Sequence, residues 1–72
     1  MEFIEREAAK AVSDKLKMIL PDLKAAYYSA KRLEYDYNWD VRSDQMCEAY
    51  MTLAGAYLEV MESLAEDKEG AK

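Results

Sequence analysis

The 72-residue sequence contains no histidine, one cysteine, one proline and two glycines. Without histidine, the chain cannot build a serine–histidine relay, a cysteine–histidine nucleophile pair or an imidazole metal site. The single cysteine, Cys47, excludes an internal disulfide and a thiolate zinc site, and we expect it to be a buried structural thiol. Gly55 and Gly70 are isolated, so no glycine-rich phosphate loop is present. We therefore expect no enzyme, no cofactor and no metal.

Turn-forming residues are also scarce, which makes strands joined by tight hairpins improbable. Alanine, leucine, methionine, lysine and glutamate favour helix almost throughout. The sequence predicts a single all-α domain over residues 1–67 and a frayed tail over residues 68–72. The longest apolar run, residues 49–58, is about half a membrane span, and the amino-terminal stretch does not resemble a signal peptide. We expect a cytoplasmic protein without membrane contact.

The first half of the chain repeats apolar residues every three or four positions, which predicts helix. Pro21 lies within this stripe, which keeps its phase across the proline. It predicts a kink or break near residues 18–21, because proline removes a backbone hydrogen bond. Low helix propensity predicts the main turn near residues 36–43, followed by a long last helix. The expected fold is a short helical hairpin or a three-helix arrangement that assembles as a helical-bundle oligomer. The predicted stripe consists of Ile4, Ala8, Val12, Leu16, Ile19, Leu23, Tyr27, Ala30, Leu33 and Tyr37.

The last helix, predicted over residues 44–66, is apolar on too many sides to stand alone. Five of its seven heptad columns are apolar or small, whereas a surface helix needs a stripe of only about 100°. So small a chain also buries too little surface to be very stable by itself. We predict homo-oligomerisation; the alternative is that the preceding helices wrap both sides within a monomer. The predicted interface comprises Met46, Ala49, Tyr50, Leu53, Ala56, Tyr57, Leu58, Val60, Met61 and Leu64.

Basic and aromatic residues are concentrated between residues 24 and 42. Rings that stack a base beside cations that hold phosphate suit a nucleotide or cyclic nucleotide, bound between subunits. The alternative is packing, with tyrosine rings half-buried and lysine stems covering them. The candidate ligand-binding residues, named here the aromatic–basic patch, are Tyr28, Lys31, Arg32, Tyr35, Trp39 and Arg42.

The net charge is −5, and the whole excess of acid lies in residues 43–72. An acidic chain is a poor direct ligand for nucleic acid, because phosphate neutralisation supplies most nonspecific affinity. The last helix carries an acidic face that is either solvated or binds a basic protein. A carboxylate-only, metal-dependent hydrolase is a further alternative, although histidine-containing bundle sites are excluded. The acidic face consists of Glu48, Glu59, Glu62 and Glu66.

In size and composition the chain resembles the small helical accessory proteins that phages and mobile elements encode. Together with the broadly apolar last helix, this resemblance implies a non-enzymatic, oligomeric binding or inhibitor protein. We expect it to act by occupying a partner protein. Sequestration of a small ligand by the aromatic–basic patch is the alternative.

Overall fold

The computed structural model describes residues 1–70, with side chains to residue 67, as two long helices joined by a short turn. Helix α1 spans Phe3–Tyr37 and helix α2 spans Ser43–Gly70. The helices pack antiparallel, since Arg6 near the start of α1 binds Asp67 near the end of α2. The all-α class and the position of the turn are confirmed. Of the predicted tail, residues 68–70 continue α2 and residues 71–72 lie outside the described chain.

Helix α1 passes through Pro21 without a break, so the described residues form two helices and not three. Pro21 is exposed on the outer side of α1, whereas the preceding residue, Leu20, is buried against α2. The carbonyl of Lys17, which loses its helical partner to the proline, is therefore on a side that water reaches. Packing of Leu20 against α2 keeps the helix in phase on both sides of the proline.

Buried and half-buried residues recur at alternating steps of three and four along both helices, the heptad spacing of a coiled coil. We call this set the core seam. At its open end Arg6 Nη1 lies 2.6 Å from Asp67 Oδ2, and one heptad further along Ser13 Oγ lies 3.2 Å from Met61 Sδ. These contacts fix the register of the hairpin. The seam comprises Ala9, Ser13, Leu16, Leu20, Leu23, Tyr27 and Ala30 of α1, and Met46, Tyr50, Leu53, Tyr57, Val60 and Leu64 of α2.

The core seam differs from the stripe predicted for α1. Ile4, Val12 and Ile19 of that stripe are exposed, while Ser13 and Leu20 take the buried positions. The reason is that residues 4–26 offer two series of residues that could pack on α2, one through Val12 and Ile19 and one through Ser13 and Leu20. The seam of α2 repeats every 3.5 residues, and the series through Ser13 and Leu20 keeps that repeat, whereas the predicted stripe does not.

The turn is held by a backbone motif at the end of α1. Asn38 adopts the left-handed conformation, with φ 60° and ψ 34°, and the Trp39 amide donates to the Leu33 carbonyl at 3.1 Å. Asparagine tolerates this conformation better than most residues, and the long-range amide bond is that of a Schellman cap. The chain then enters α2 at Arg42, which also has a positive φ of 55° and whose carbonyl accepts the amide of Gln45.

A carboxylate of α1 caps α2. Glu34 accepts hydrogen bonds from the Ser43 amide at 3.0 Å and from the Ser43 hydroxyl at 2.6 Å. Both bonds favour the charged carboxylate and lower the pKa of Glu34, the hydroxyl bond most strongly. Ser43 itself is buried, so its polar groups depend on Glu34. This cap locks the two helices together at the turn.

The Glu34 cap makes stability depend on pH. A carboxyl whose folded pKa is depressed stabilises the protein above its unfolded pKa, near 4.5, and loses that contribution as the pH falls through the folded value. We expect Glu34→Gln to lower the melting temperature relative to the parent protein at pH 7. Near pH 3 the melting temperatures of the two proteins should differ less. Thermal unfolding at both pH values measures this. The exposed Glu7 has no ion-pair partner in the described chain, so Glu7→Gln is the control; an equal effect of both substitutions would contradict the cap.

At the open end of the hairpin, Asp67 binds both the amino-terminal ammonium group at 2.8 Å and the Arg6 guanidinium at 2.6 Å. The hydrogen bond from the ammonium group is the main cause of a lowered pKa at Asp67, and Arg6 adds to it. The two ends of the hairpin are thus each closed by a carboxylate. Across the residues that the structure describes, neither helix is long and apolar enough to cross a membrane.

Candidate interaction surfaces

The hairpin is too thin to bury its apolar residues. It measures 56 × 14 × 13 Å, and its radius of gyration is 16.4 Å, against roughly 11 Å for a compact chain of this length. Its accessible surface is 5896 Å², about 1,300 Å² more than a compact monomer of this mass exposes. In the described part of the chain, Leu20 and Ala30 are the only buried hydrophobic residues. Much of the apolar surface therefore stays in contact with solvent.

The structure divides the predicted interface into two groups. One group lies in the core seam or directly beside it, and the seam members are half-buried between the helices. The second group, Leu58 and Met61, lies on the side of α2 opposite to Ala49 and Ala56, and Met61 also reaches Ser13 of the seam. The first group consists of Met46, Ala49, Tyr50, Leu53, Ala56, Tyr57, Val60 and Leu64.

One side of the hairpin carries no charge over most of its length. We call it the uncharged face. On α1 it is formed by a column that flanks the seam, where Val12 and Ile19 are 45% and 48% exposed. On α2 the matching column contains only small residues. The uncharged face comprises Val12, Ile19, Ala26 and Leu33 of α1 and Ala49, Ala56 and Ser63 of α2.

The two columns of the uncharged face lie on the same side because the helices are antiparallel. In such a pair, the column that precedes the seam on one helix meets the corresponding column of the other helix. The register set by Ser13 and Met61 places Ile19 level with Ala56. The result is a ridge of branched side chains on α1 beside a shallow track on α2.

The opposite side of the hairpin combines lysines with large apolar residues, and we call it the lysine–methionine face. Its α1 wall contains one exposed lysine in each heptad: Lys10, Lys17, Lys24 and Lys31. Its α2 wall projects apolar side chains, of which Met51 is 68% and Leu58 is 62% exposed. That α2 wall comprises Cys47, Met51, Ala54, Leu58 and Met61.

Sequence reasoning missed this surface, although the signal was present as four lysines spaced seven residues apart. Cys47, expected to be buried, is half-buried on the α2 wall.

The aromatic–basic patch is spread over the outer side of α1 and the turn. Tyr28, Tyr35 and Trp39 are exposed, and Tyr35 at 86% has almost no neighbours. The Tyr28 ring lies 5.4 Å from the ring of Tyr27, and Lys31 Nζ lies 5.8 Å from the Tyr27 centre. The aromatic rings therefore do not converge on a single ligand position.

The cations of the patch are engaged within the chain. Arg32 Nε lies 3.6 Å from Asp36, Arg42 Nε lies 3.9 Å from Asp40, and Lys31 faces the Tyr27 ring. An open depression of about 340 Å³ is lined by Tyr28, Ser29 and Arg32. It brings together two of the six residues predicted to bind a ligand.

The acidic face lies on the outer side of α2, where all four glutamates are exposed. Glu48 and Glu62 share one column of the helix, and Glu59 and Glu66 share the next. Within residues 1–67, no three acidic or cysteine side chains are close enough to hold a metal ion. The arrangement fits solvated carboxylates.

The chain therefore presents two long surfaces of different chemistry, one uncharged and one edged by lysine. No family model, curated protein or solved structure matches it.

Proposed function

We propose that the chain is a non-enzymatic binding protein that works as a homodimeric four-helix bundle and acts by occupying a partner protein. The single observation that carries this proposal is the uncharged face beside a half-buried core seam. A face of this composition suits contact with a second apolar surface.

Charge distribution supports self-association through the uncharged face. About a third of all residues are charged, yet from Ala9 to Leu33 and from Met46 to Leu64 the seam and this face contain none. Helices in bundles need a third apolar column beside the two that form a simple coiled coil. Both helices carry that third column on the same side, so two hairpins meeting there would enclose the half-buried seam.

Shape favours a definite pairing of the two copies. With α1 of one copy over α2 of the other, the branched side chains of Val12 and Ile19 meet the small residues Ala56 and Ser63 of α2. Small residues let helix axes approach closely, and the branched side chains fill the remaining space. Such an interface is isologous, so it closes as a dimer and does not propagate.

The excess surface of the hairpin is comparable with the area that a specific dimer buries. A typical specific interface buries about 800 Å² on each partner. With a surface of 5896 Å², the hairpin exposes about 1,300 Å² more than a compact chain of its mass. Burying one long side of the hairpin would remove most of that excess.

The proposal is tested by thermal unfolding of the parent protein at several concentrations. Because dissociation accompanies unfolding of a dimer, the melting temperature should rise with each tenfold increase in protein concentration. A melting temperature that stays constant across the series would exclude the dimer. Ligand-free buffer suffices, since no other component is involved.

A second candidate function, binding of a nucleotide or cyclic nucleotide, is favoured by one observation, the depression beside Tyr28 and Arg32. Against it stands the pairing of Arg32 with Asp36. Calorimetric titration with mono- and cyclic dinucleotides distinguishes the two candidates. Saturable heat that is lost in Arg32→Ala would support the ligand-binding function, and absence of heat would exclude it.

A further inference from the structure

We propose that the lysine–methionine face is the docking site for an amphipathic helix of the partner protein, with acidic residues along the flank that faces α1. This inference deepens the proposed function, since it names the chemistry of the partner that the chain occupies. It uses the side of the hairpin that the proposed dimer leaves open.

The lysine wall supplies a regular row of positive charge. Lys10, Lys17, Lys24 and Lys31 are all exposed and occupy the same heptad position of α1. Among side chains up to residue 67, the ion pairs of the basic residues use arginines and not these lysines, of which Lys31 lies over the Tyr27 ring. The row spans about 30 Å, the length of a helix of about 20 residues.

The α2 wall has the spacing of a second coiled-coil seam. Its residues from Cys47 to Met61 recur at steps of four and three, as those of the core seam do. Met61 leans toward α1, with Sδ 3.2 Å from Ser13 Oγ, whereas Met51 and Leu58 are mostly exposed. A seam of this spacing accepts knobs from another helix more readily than an extended strand. Methionine adapts well to such partners.

The charges that border the lysine–methionine face determine which flank of the partner helix lies against α1. Beyond the apolar wall, the outer side of α2 carries Glu48 and Glu62, which repel acidic residues. Glu7 and Asp14 lie on the side of the lysine row that faces away from α2. The partner helix therefore places its acids against α1 and keeps them away from α2.

A second copy of the chain is the competing occupant, because α2 is itself an apolar helix edged by Glu48 and Glu62. The uncharged face gives the second copy a surface without lysines, whereas the lysine–methionine face offers charge complementarity to an acidic helix. The two occupants are distinguished by whether changes in the lysine row alter the mass of the assembly.

The test uses two synthetic amphipathic peptides of about 20 residues, a length that matches the row. They share one leucine stripe, and one carries glutamate along a flank where the other carries lysine. Fluorescence anisotropy measures their binding to the full chain. We expect saturable binding of the acidic peptide, at least about tenfold weaker binding of the basic peptide, and weakening by salt.

The matching variant is the double substitution Lys17→Glu/Lys24→Glu. It should weaken binding of the acidic peptide at least about tenfold, while the protein stays a dimer. The control is Lys15→Glu, an exposed residue on the outer side of α1, which should bind as the parent does. No binding of the acidic peptide, or equal binding of both peptides, would overturn the docking site. A change of assembly mass in the double variant would assign this face to self-association instead. If the parent chain is a monomer, the proposed dimer is overturned, whereas the docking site is still judged by the binding of the two peptides.

Discussion

Replacing Ile19 by lysine is expected to convert the dimer into a folded monomeric hairpin. Ile19 is 48% exposed in the single chain and stands beside the seam, so lysine at this position can reach water in a monomer. In the proposed dimer it would be covered, and the two-fold symmetry would bury two unpaired charges. Burial of unpaired charge costs several kcal/mol, so the dissociation constant should rise at least about 100-fold.

Met18→Lys is the matched control, since Met18 is 70% exposed and points outward from the neighbouring position. It should remain dimeric. Sedimentation velocity measures the mass of each variant, and far-ultraviolet circular dichroism shows whether the helices persist. If Ile19→Lys stays dimeric, or if both variants dissociate equally, the uncharged face is not the interface.

Replacing Leu20 by alanine is expected to give the largest loss of stability. Leu20 is 9% exposed and lies at the middle of the core seam, next to Pro21. Loss of a buried leucine costs about 2–5 kcal/mol, a large share of the stability of so small a domain. Thermal unfolding should show a melting temperature lower by at least about 10 °C.

Leu58→Ala provides the comparison, because Leu58 is 62% exposed and lies outside the core seam. Its free energy of unfolding should change by no more than about 0.5 kcal/mol. Equal destabilisation by the two substitutions would show that α2 packs on α1 through a different side. Greater destabilisation by Leu58→Ala would point the same way.

The fold was largely predictable from the sequence, because helix propensity and scarcity of turn residues act locally. The turn was found from the weak helix formers around Asn38. Whether Pro21 breaks the helix was not predictable in the same way, since this depends on whether the proline faces water or α2. The sequence of α1 alone does not show which of its sides is buried. Ser13 is buried and Val12 is exposed because the side through Ser13 matches the spacing of the α2 seam.

The candidate surfaces were predictable only in part. Heptad columns showed that α2 is apolar on several sides, but they do not reveal which side α1 covers. For that reason the predicted interface combines Leu58 and Met61 with Ala49 and Ala56, which lie on the opposite face of the hairpin. The lysine row becomes important only when antiparallel packing sets it beside Met51 and Leu58, and the pattern of a single helix does not show this.

Sedimentation equilibrium of the parent chain at micromolar concentration tests the central claim, self-association through the uncharged face, most directly. We expect a mass of twice 8.3 kDa, reduced to that of one chain by Ile19→Lys and kept at that of two chains by Lys17→Glu/Lys24→Glu. A parent chain that sediments at 8.3 kDa throughout the concentration range would contradict it.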